Sequence, residues 1–355
     1  MVKYYDVTII ANLEKNQSLL ESFSNEVKII NLPIERDIKI FFDLKALLIL
    51  ISIFKKNKFS LVHSVSPKAG LLSSISSYLV RVPIRIHTFT GQVWYTKKGM
   101  MRWLLIFFDK TIVKLNTNIL IDSFSQQKFL INNGVVSKDN SIVLGSGSIC
   151  GVDINRFKPS FSNRDCIRKE LDIDKDSLVF LFVGRLKKDK GLFELAEAFK
   201  NINNQYNNLS LVILGKDEEN IKNKLTKIFG DSKEFVRFVD FTKNPEMYMA
   251  ASDVFLLPSY REGFGNVVIE SAACGVPSIA SNIYGLDDAI IDEETGFLVQ
   301  AKSSVHLEQA MIKLVTNGKL RESMGEKARK RAIHSFSQEL ITDQIIKLYK
   351  ILHHQ

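Results

Sequence analysis

The sequence predicts an α/β protein with two doubly wound parallel sheets, one in each half of the chain, followed by a helical C-terminal tail. Three observations predict this class. The chain has 355 residues, which at roughly 150 residues per domain suggests two domains. Short β-branched runs alternate with helical patterns, as parallel βαβ units require. The same alternation begins again at Leu178, after a polar and charged stretch that contains Pro159.

Each half supplies its own series of elements. The predicted strands of the first half are Asp6–Ala11, Val27–Asn31, Leu61–Val65, Ile84–Thr88, Ile119–Asp122 and Ile142–Leu144, with helices over 12–25, 41–56, 69–80, 98–115 and 123–133. Those of the second half are Leu178–Val183, Ser210–Leu214, Val236–Val239, Val254–Leu257 and Ser278–Ala280, with helices near 190–204, 217–229, 245–250 and 264–274. Three tail helices follow at 303–316, 319–333 and 337–353.

These series predict two domains, 1–155 and 156–336. We interpret 151–177 as the linker about which the domains would close. The C-terminal helix, about 337–355, is expected to pack back onto the first domain. Ligands of doubly wound sheets bind at the carboxyl ends of the strands, so a cleft between the two sheets is the expected site.

The composition excludes several classes. Charged residues make up 25% and aromatic residues 10%, with seven prolines, which excludes a disordered or collagen-like chain. The cysteines, Cys150, Cys166 and Cys274, are too far apart for a disulfide framework or a metal cluster and indicate a reducing compartment. We see no secretory signal and no uncharged apolar run of membrane-spanning length, and therefore expect a cytoplasmic protein.

The positive charge is concentrated in the first half. Residues 1–150 contain 19 Lys+Arg and 10 Asp+Glu, whereas residues 151–355 contain 29 of each. This asymmetry predicts an anionic partner, either a membrane surface, a phosphorylated ligand or nucleic acid. Nucleic acid is disfavoured because no recognised motif or single basic run is present.

Two apolar, basic helical segments in that half, 41–56 and 97–110, fit either an interfacial helix or a core helix. For 41–56 we favour the core interpretation, because the segment fits between two predicted strands. For 97–110, where Trp103 lies among basic residues, both interpretations stay open.

The most informative segment follows the strand that ends at residue 257. A glycine-containing turn leads into a helix that is predicted to open near Phe264, and the backbone N–H groups of such a helix start stabilise an anion such as a diphosphate. Gly263 and Gly265 allow close backbone approach to a ligand. Glu262 and Glu270 lie eight positions apart, about two helical turns if the helix starts early enough, and their carboxylates are suited to accept hydrogen bonds from sugar hydroxyls.

A second motif lies directly after the first strand of the second half. Gly184-Arg185-x4-Lys190-Gly191 puts a planar guanidinium and an ammonium at the mouth of the sheet, where they would neutralise a diphosphate. No Asp-x-Asp metal motif stands near either segment. We therefore expect no obligatory divalent metal and no cofactor.

Both motifs resemble those of the retaining, nucleotide-sugar-dependent glycosyltransferases of family 4, which have the GT-B fold of two Rossmann-like domains. Glu262-x7-Glu270 matches the E-x7-E motif of that family, and the motif from Gly184 to Gly191 matches its G-R-x4-K-G motif. The segment 285–299 resembles the next family segment, except that Asp288 stands where the family usually has Glu.

The resemblance implies a donor site in the second half. The first glutamate would contact the donor sugar, the second the ribose, and the Arg and Lys the donor phosphates. The implied donor-binding residues are Gly184, Arg185, Lys190, Glu262, Gly263, Phe264, Gly265, Asn266 and Glu270. The implied catalytic residues are His87, Glu262, Arg185 and Lys190.

The first half carries weaker signals. Arg85–Gly91 resembles the strand-end segment of the family whose histidine, here His87, reaches the transferred sugar. Residues 63–70 resemble members that act in bacterial surface-polysaccharide assembly, which implies that Lys68 and Ser66 contact the acceptor. The loop over 11–17 lacks the glycines found in many relatives, so phosphate contact is not expected there.

The implied function is retaining transfer of a hexosyl or N-acetylhexosaminyl group from a nucleotide diphosphate sugar to a polyprenyl-diphosphate-linked saccharide. The setting would be O-antigen, capsule or exopolysaccharide synthesis, peripherally associated with the anionic cytoplasmic face of the inner membrane and without nucleic acid. The alternatives are a nucleotide-sugar epimerase or glycogen-type phosphorylase of the same fold, or a non-catalytic partner subunit of a glycan synthase. A nicotinamide-binding protein is disfavoured, because in Gly145–Gly151 the third glycine comes one position late for the dinucleotide motif.

Overall fold

The computed structural model describes residues 1–13, 26–35 and 38–354, and the chain divides into two compact units. The first unit consists of Met1–Asp122, Gln127–Leu144 and Thr342–Gln355, and the second of Ser123–Gln126 and Gly145–Ile341. Every strand pairing in both units is parallel, with helices as connections, which confirms the predicted α/β class. The predicted helix over 12–25 lies almost wholly outside the described residues.

The first unit contains six of the described strands. In chain order the elements are β1 (Thr8–Ala11), β2 (Lys28–Asn31), α1 (Ile40–Asn57), β3 (Leu61–Val65), α2 (Pro67–Leu79), β4 (Ile84–Phe89), a 3₁₀ turn (Val93–Thr96), α3 (Gly99–Leu115), β5 (Asn118–Ile121), α4 (Phe124–Asn132) and β6 (Ser141–Val143). The strands form a β1–β2 pair and a four-stranded sheet in the order β3-β4-β5-β6. The first residues of α4 belong to the second unit.

The six strands therefore pair in two sheets within the described residues, rather than in the single sheet expected of the first half. A cavity of about 370 Å³ lies between them, lined by residues of β1, such as Thr8 and Ile10, and of β3, such as His63 and Ser64. Helices α1 and α3 both pack against α2.

The second unit is built on one six-stranded sheet. Its elements are α5 (Phe161–Glu170), β7 (Leu178–Val183), α6 (Leu192–Asn203), β8 (Leu209–Leu214), α7 (Lys222–Phe229), β9 (Val236–Val239), α8 (Pro245–Ala251), β10 (Val254–Leu257), α9 (Asn266–Ala273), β11 (Ser278–Ser281), α10 (Leu286–Ala289), β12 (Gly296–Val299), α11 (Ser304–Thr316) and α12 (Gly318–Phe336). The strand order is β12-β11-β10-β7-β8-β9. Every residue of β8 and β10 is buried, as expected of a parallel sheet with helices on both faces.

The expectation of a linker over 151–177 is wrong. Residues from Gly145 onward belong to the second unit, and α5 occupies the middle of the stretch. Ile167 on α5 is buried in the core, and the guanidinium of Arg168 donates to the carboxylate of Asp253 at 2.7 Å. The polar composition conceals this packing because the helix buries one apolar side and satisfies its buried charge with an ion pair.

The tail is helical, as predicted, and ends in α13 (Gln338–His353). The start of α13 belongs to the second unit and residues from Thr342 onward to the first. There Tyr349 is buried with Ile86 of β4 and Leu120 of β5. No helix among the described residues combines the length and apolar character needed to cross a membrane.

Candidate active site

The two predicted motifs meet at the point where the strand order of the second sheet reverses. From β7 the chain adds β8 and β9 on one side, and then returns to add β10 on the other side of β7. The motif that begins at Gly184 follows β7, and the loop over 258–265 follows β10, so both leave the carboxyl ends of neighbouring strands. In open α/β sheets this reversal point is where ligands bind.

Two glycines allow the loops at this edge to touch. Gly191 has φ +69°, and a Cβ there would lie 2.0 Å from the carbonyl oxygen of Pro258. Gly285 has φ +89°, and its Cβ would lie 2.1 Å from the carbonyl oxygen of Gly263. Any other residue would both strain the backbone and separate the loops. The contact is strengthened by Tyr260, whose N–H donates to the carbonyl oxygen of Asp189 at 2.8 Å.

The predicted cations are paired with carboxylates. Lys190 Nζ lies 2.6 Å from Glu262 Oε1, and both side chains are largely buried. Arg185 Nη1 lies 3.4 Å from Glu218 Oε2, which also binds Lys187 Nζ at 2.8 Å. Arg185 remains 45% exposed, so its guanidinium is accessible to a ligand.

Glu218 is a charged residue of this edge that the sequence analysis missed. It lies four residues beyond the end of β8, the strand next to β7. Its position after a strand end was the available signal, but the sequence alone does not give the order of the strands.

Helix α9 begins later than predicted. It starts at Asn266, with Gly265 as its N-terminal cap at φ +79°, so Glu262 lies in the preceding loop and does not share a helix side with Glu270. A Cβ on Gly265 would lie 2.4 Å from Leu286 Cδ2, which explains the glycine. In its first turn the N–H of Val268 donates to the carbonyl oxygen of Gly265 at 2.8 Å, and the start of such a helix is suited to an anion.

The side chains of two residues in the predicted donor-binding set make contacts within the protein. Ser148 Oγ donates to Asn266 Oδ1 at 3.0 Å, which orients the amide at the start of α9. Phe264 turns its ring into the core, 1% exposed and edge-on to Phe336 at 5.2 Å. The prediction that Phe264 binds the donor is therefore wrong for its side chain and leaves only a backbone contact.

Glu270 on α9 has an unusual acidity. Burial raises the pKa of its carboxyl group to about 7, the nearby Arg156 lowers it and Glu246 raises it further. Arg156 is itself paired with Glu246 at 2.8 Å, which weakens its influence on Glu270. Near neutral pH the carboxyl group is therefore divided between two forms, one of which can donate a hydrogen bond as well as accept one.

Asp288 has a structural role in this unit. Its Oδ2 accepts hydrogen bonds from the N–H and the hydroxyl of Ser125, at 2.8 and 2.5 Å. The Ser125 hydroxyl oxygen in turn accepts the N–H of Gly285 at 2.7 Å. Asp288, shorter than the glutamate usual in the family, thus supports the loop at Gly285 that approaches Gly263.

In the first unit, His87 lies on β4 with 1% of its surface exposed. Its Nδ1 lies 2.9 Å from Ser64 Oγ, and its ring is edge-on to Phe89 with centroids 4.7 Å apart. Burial, with a smaller contribution from His63, lowers the pKa of His87 to about 3. His87 is therefore a neutral hydrogen-bonding group at physiological pH.

Next to it, His63 bonds Tyr349 Oη at 2.5 Å and Thr88 Oγ1 at 2.6 Å, and burial lowers its pKa to about 4. The register of β3 and β4 pairs His63 with Ile86 and Ser64 with His87, so the two neutral imidazoles lie on neighbouring strands but point to opposite faces of the sheet.

The predicted acceptor residues lie at the start of α2. Ser66 is exposed and has φ +76° and ψ +147°, and Pro67 begins the helix. Lys68 Nζ lies 2.5 Å from Asp43 Oδ1 on α1, an ion pair that the sequence analysis did not anticipate. An acceptor phosphate would have to compete with this carboxylate for the ammonium group.

Within the described ranges, no group of three or more His, Cys, Asp or Glu side chains is arranged to hold a metal ion.

Solved structures share this architecture. Sucrose-phosphate synthase from Thermosynechococcus elongatus superimposes with a TM-score of 0.79 at 24% identity, over 94% of this chain and 85% of that one. Anabaena HepE, in complex with UDP and glucose, gives a TM-score of 0.78 at 19% identity, over 94% of this chain and 88% of that one. These similarities confirm the GT-B fold that the sequence motifs led us to expect.

Sequence relatives cover nearly the whole chain. A capsular polysaccharide biosynthesis glycosyltransferase of Staphylococcus aureus is 33% identical, over 98% of this chain and 90% of its own length. The UDP-Gal:alpha-D-GlcNAc-diphosphoundecaprenol alpha-1,3-galactosyltransferase of Escherichia coli is 28% identical, over 97% of this chain and 89% of its own length.

Family models match both halves. Residues 163–331 match the model for glycosyl transferases group 1, and residues 2–127 match that for glycosyl transferase 4-like proteins. The second match contains His87, and the first contains the basic motif, both glutamates and the glycines that join their loops. Together with the full-length relatives, these matches show that the chain belongs to the group 1 glycosyltransferases and is a glycosyltransferase of the bacterial surface-polysaccharide type.

Proposed function

We propose that this protein transfers a hexosyl or N-acetylhexosaminyl group from a nucleotide diphosphate sugar to a polyprenyl-diphosphate-linked saccharide, with retention of the anomeric configuration. The observation that carries the proposal is the convergence, at one reversal point, of Lys190, Glu262, Arg185 and the start of α9. The named relatives act in capsule synthesis and on a diphosphoundecaprenol-linked sugar, which supports the acceptor class. They do not favour an epimerase or a non-catalytic subunit.

The donor diphosphate is assigned to the cations and the helix start. Arg185 and Lys190 exchange their carboxylate partners, Glu218 and Glu262, for phosphate oxygens when the donor binds. Until that exchange, each carboxylate neutralises its cation. As the bond from the sugar to the diphosphate breaks, negative charge grows on the leaving phosphate, and fixed cations and N–H groups stabilise that charge without reorganising.

The sugar and ribose are assigned to the glutamates. Displaced from Lys190, the Glu262 carboxylate is available to accept from hydroxyls of the transferred sugar. Glu270, half-buried on α9, contacts the ribose. Gly184, Gly263 and Gly265 contribute backbone contacts where a side chain would keep the ligand away.

Residues of the first unit are assigned to the transferred sugar and the acceptor. His87 contacts the transferred sugar as a neutral hydrogen-bonding group. Ser66 and Lys68 contact the acceptor, with Lys68 released from Asp43 by the acceptor phosphate. The acceptor hydroxyl attacks from the side of the leaving group, without a covalent enzyme intermediate, as the family resemblance implies. As the bond from the sugar to the diphosphate breaks, the hydroxyl gives its proton to the departing phosphate oxygen.

Metal independence is part of the proposal. Two cationic side chains and a helix start supply the charge that a divalent ion would otherwise provide. Transfer is therefore expected to continue in EDTA.

We further propose that the first unit docks onto an anionic membrane surface through α1 and α3. Helix α1 buries Ala46, Leu50 and Phe54, as the core interpretation of 41–56 expected, but α1 and α3 also expose large apolar side chains along one side, with basic residues on the same helix. On α1 these are Phe41, Leu44, Leu48, Lys45, Lys55 and Lys56, and on α3 they are Met100, Trp103, Phe107, Lys110 and Lys114. Aromatic and aliphatic groups beside lysines are suited to the headgroup boundary of anionic lipid.

Vesicle sedimentation tests this docking. Binding to vesicles with an anionic phospholipid should exceed binding to neutral vesicles and weaken as salt rises. Replacing Trp103 and Phe107 with Ser should weaken it further, whereas replacing Phe161, 88% exposed in the second unit, should not. Equal binding to neutral vesicles at high salt would contradict the electrostatic part of the proposal.

Thermal shift with nucleoside diphosphates tests the donor site. A ligand that binds the folded state raises the melting temperature, and we expect this shift in EDTA as well. Arg185→Ala should abolish the shift and the transfer reaction while the protein stays folded. Lys187→Ala is the matched control, because it removes the neighbouring cation bound to the same Glu218. A normal shift and turnover in Arg185→Ala would overturn the phosphate assignment.

A further inference from the structure

The His87 imidazole is held on three sides by the first unit. Ser64 Oγ lies 2.9 Å from Nδ1, and the Phe89 ring is edge-on at 4.7 Å. On the third side, Gly70 of α2 lies so close that a Cβ there would be 2.2 Å from His87 Cε1. These contacts fix the position of the ring, and a hydrogen bond fixes its Nδ1 edge.

We propose that Ser64 is a positioning residue for His87, which holds Nδ1 so that Nε2 is the ring nitrogen that contacts the transferred sugar. This inference rests on the proposed function and assigns a role to Ser64, to which the family resemblance assigns none. Ser64 is itself 8% exposed and also lies within 3.3 Å of the carbonyl oxygen of Ile86.

The chemistry follows from the two nitrogens of a neutral imidazole. One nitrogen carries the proton and the other accepts, and the partner of Nδ1 decides which form is present. The Ser64 hydroxyl donates to the carbonyl oxygen of Ile86 at 3.3 Å, so its oxygen accepts from Nδ1–H and the tautomer protonated at Nδ1 is preferred, with Nε2 as the acceptor. Without it, the two tautomers approach the same energy, and Nε2 offers the sugar hydroxyl a mixture of donor and acceptor.

The arrangement is specific to position 64. The neighbouring His63 is bonded to Tyr349 and Thr88, so it does not substitute as a partner for His87. Ser64 also lines the 370 Å³ cavity of the first unit. That cavity leaves space for one extra methyl group, so Ser64→Thr keeps the hydroxyl without crowding the strand.

Kinetics of four variants test the proposal. Ser64→Ala should lower kcat about fivefold, which corresponds to the loss of one hydrogen bond, with donor KM nearly unchanged and the melting temperature lower by about 2–4 °C, and Ser64→Thr should restore kcat. His87→Ala should cost more than Ser64→Ala, and the double variant should be no slower than His87→Ala alone, because Ser64 acts through His87. Ser76→Ala is the control, since its buried hydroxyl donates to Leu72 O within α2.

A second readout does not depend on activity. In ¹⁵N-histidine spectra, the signals that disappear in His87→Ala identify the ring, and Ser64→Ala should move them towards a mixture of tautomers. Unchanged His87 signals in Ser64→Ala would overturn the proposal, as would a fivefold loss that adds fully to that of His87→Ala. If the wild type transfers no sugar from any donor, the proposed function fails, and the spectra still decide the role of Ser64.

Discussion

Replacing Gly70 with Ala should destabilise the first unit, although alanine is the better helix former. Gly70 lies in the first turn of α2 at an ordinary helical φ, so the backbone accepts alanine and the helix alone would gain up to about 1 kcal/mol. The added Cβ, however, would lie 2.2 Å from His87 Cε1 and 2.7 Å from Nδ1, where ordinary contact begins at 3.4 Å. The ring must therefore withdraw by about 1.2 Å.

The expected loss of unfolding free energy has two sources. Overpacking a buried site costs roughly 1–3 kcal/mol, and a weakened bond to Ser64 adds about 1 kcal/mol. After the helix gain is subtracted, the free energy of unfolding should fall by about 1–3 kcal/mol. In a His87→Ala background the clash is absent, and Gly70→Ala should instead stabilise that variant by up to about 1 kcal/mol.

Urea unfolding followed by tryptophan fluorescence measures this effect. Both tryptophans of the chain, Trp94 and Trp103, lie in the first unit, so the signal reports its unfolding. The sign change between the two backgrounds is the decisive result. A Gly70→Ala protein as stable as the wild type, with normal turnover, would refute the packing described for His87.

Three further predictions concern other sites. Burial raises the pKa of Glu270 from 4.5 to about 7, so the folded state binds the proton more tightly and the free energy of unfolding should fall as pH rises from 4.5 to 7. Glu270→Gln should therefore flatten the curve of melting temperature against pH. An unchanged slope would contradict the pKa shift. Gly285→Ala, whose Cβ would lie 2.1 Å from the carbonyl oxygen of Gly263, should raise the donor KM at least about tenfold, and a KM within about twofold of wild type would argue against the loop contact. The carboxylate of Asp109 accepts the indole N–H of Trp94 at 2.7 Å. Asp109→Ala should lower the free energy of unfolding by about 1–3 kcal/mol, and Asp109→Asn should lower it less. Equal losses in the two variants would mean that the hydrogen bond is not the cause.

The fold could be predicted because hydrophobic periodicity, and the glycines and turns that end strands, are properties of short stretches of sequence. The sequence alone identifies the restart of the alternation at residue 178, the glycine before Arg185 and the turn before α9. The family motifs depend on the same local spacing. They therefore located the basic motif and both glutamates without any knowledge of strand order.

What the sequence could not give depends on contacts between distant segments. The apolar side of α5 and the ion pair of Arg168 were concealed by a polar composition. Glu218 joins the site only because β8 lies beside β7. Ser64 faces His87 through the register of β3 and β4. The ring of Phe264 turns inward because Phe336, from the tail, fills the same part of the core.

Product analysis tests the proposed glycosyl transfer itself. The protein is incubated in EDTA with a panel of nucleotide sugars and a polyprenyl-diphosphate-linked saccharide, and the lipid product is examined by mass spectrometry and NMR. We expect a lipid heavier by one sugar residue, joined with the anomeric configuration of the donor, in amounts equal to the nucleoside diphosphate released. An epimerised nucleotide sugar formed without acceptor, or a product of inverted configuration, would contradict it.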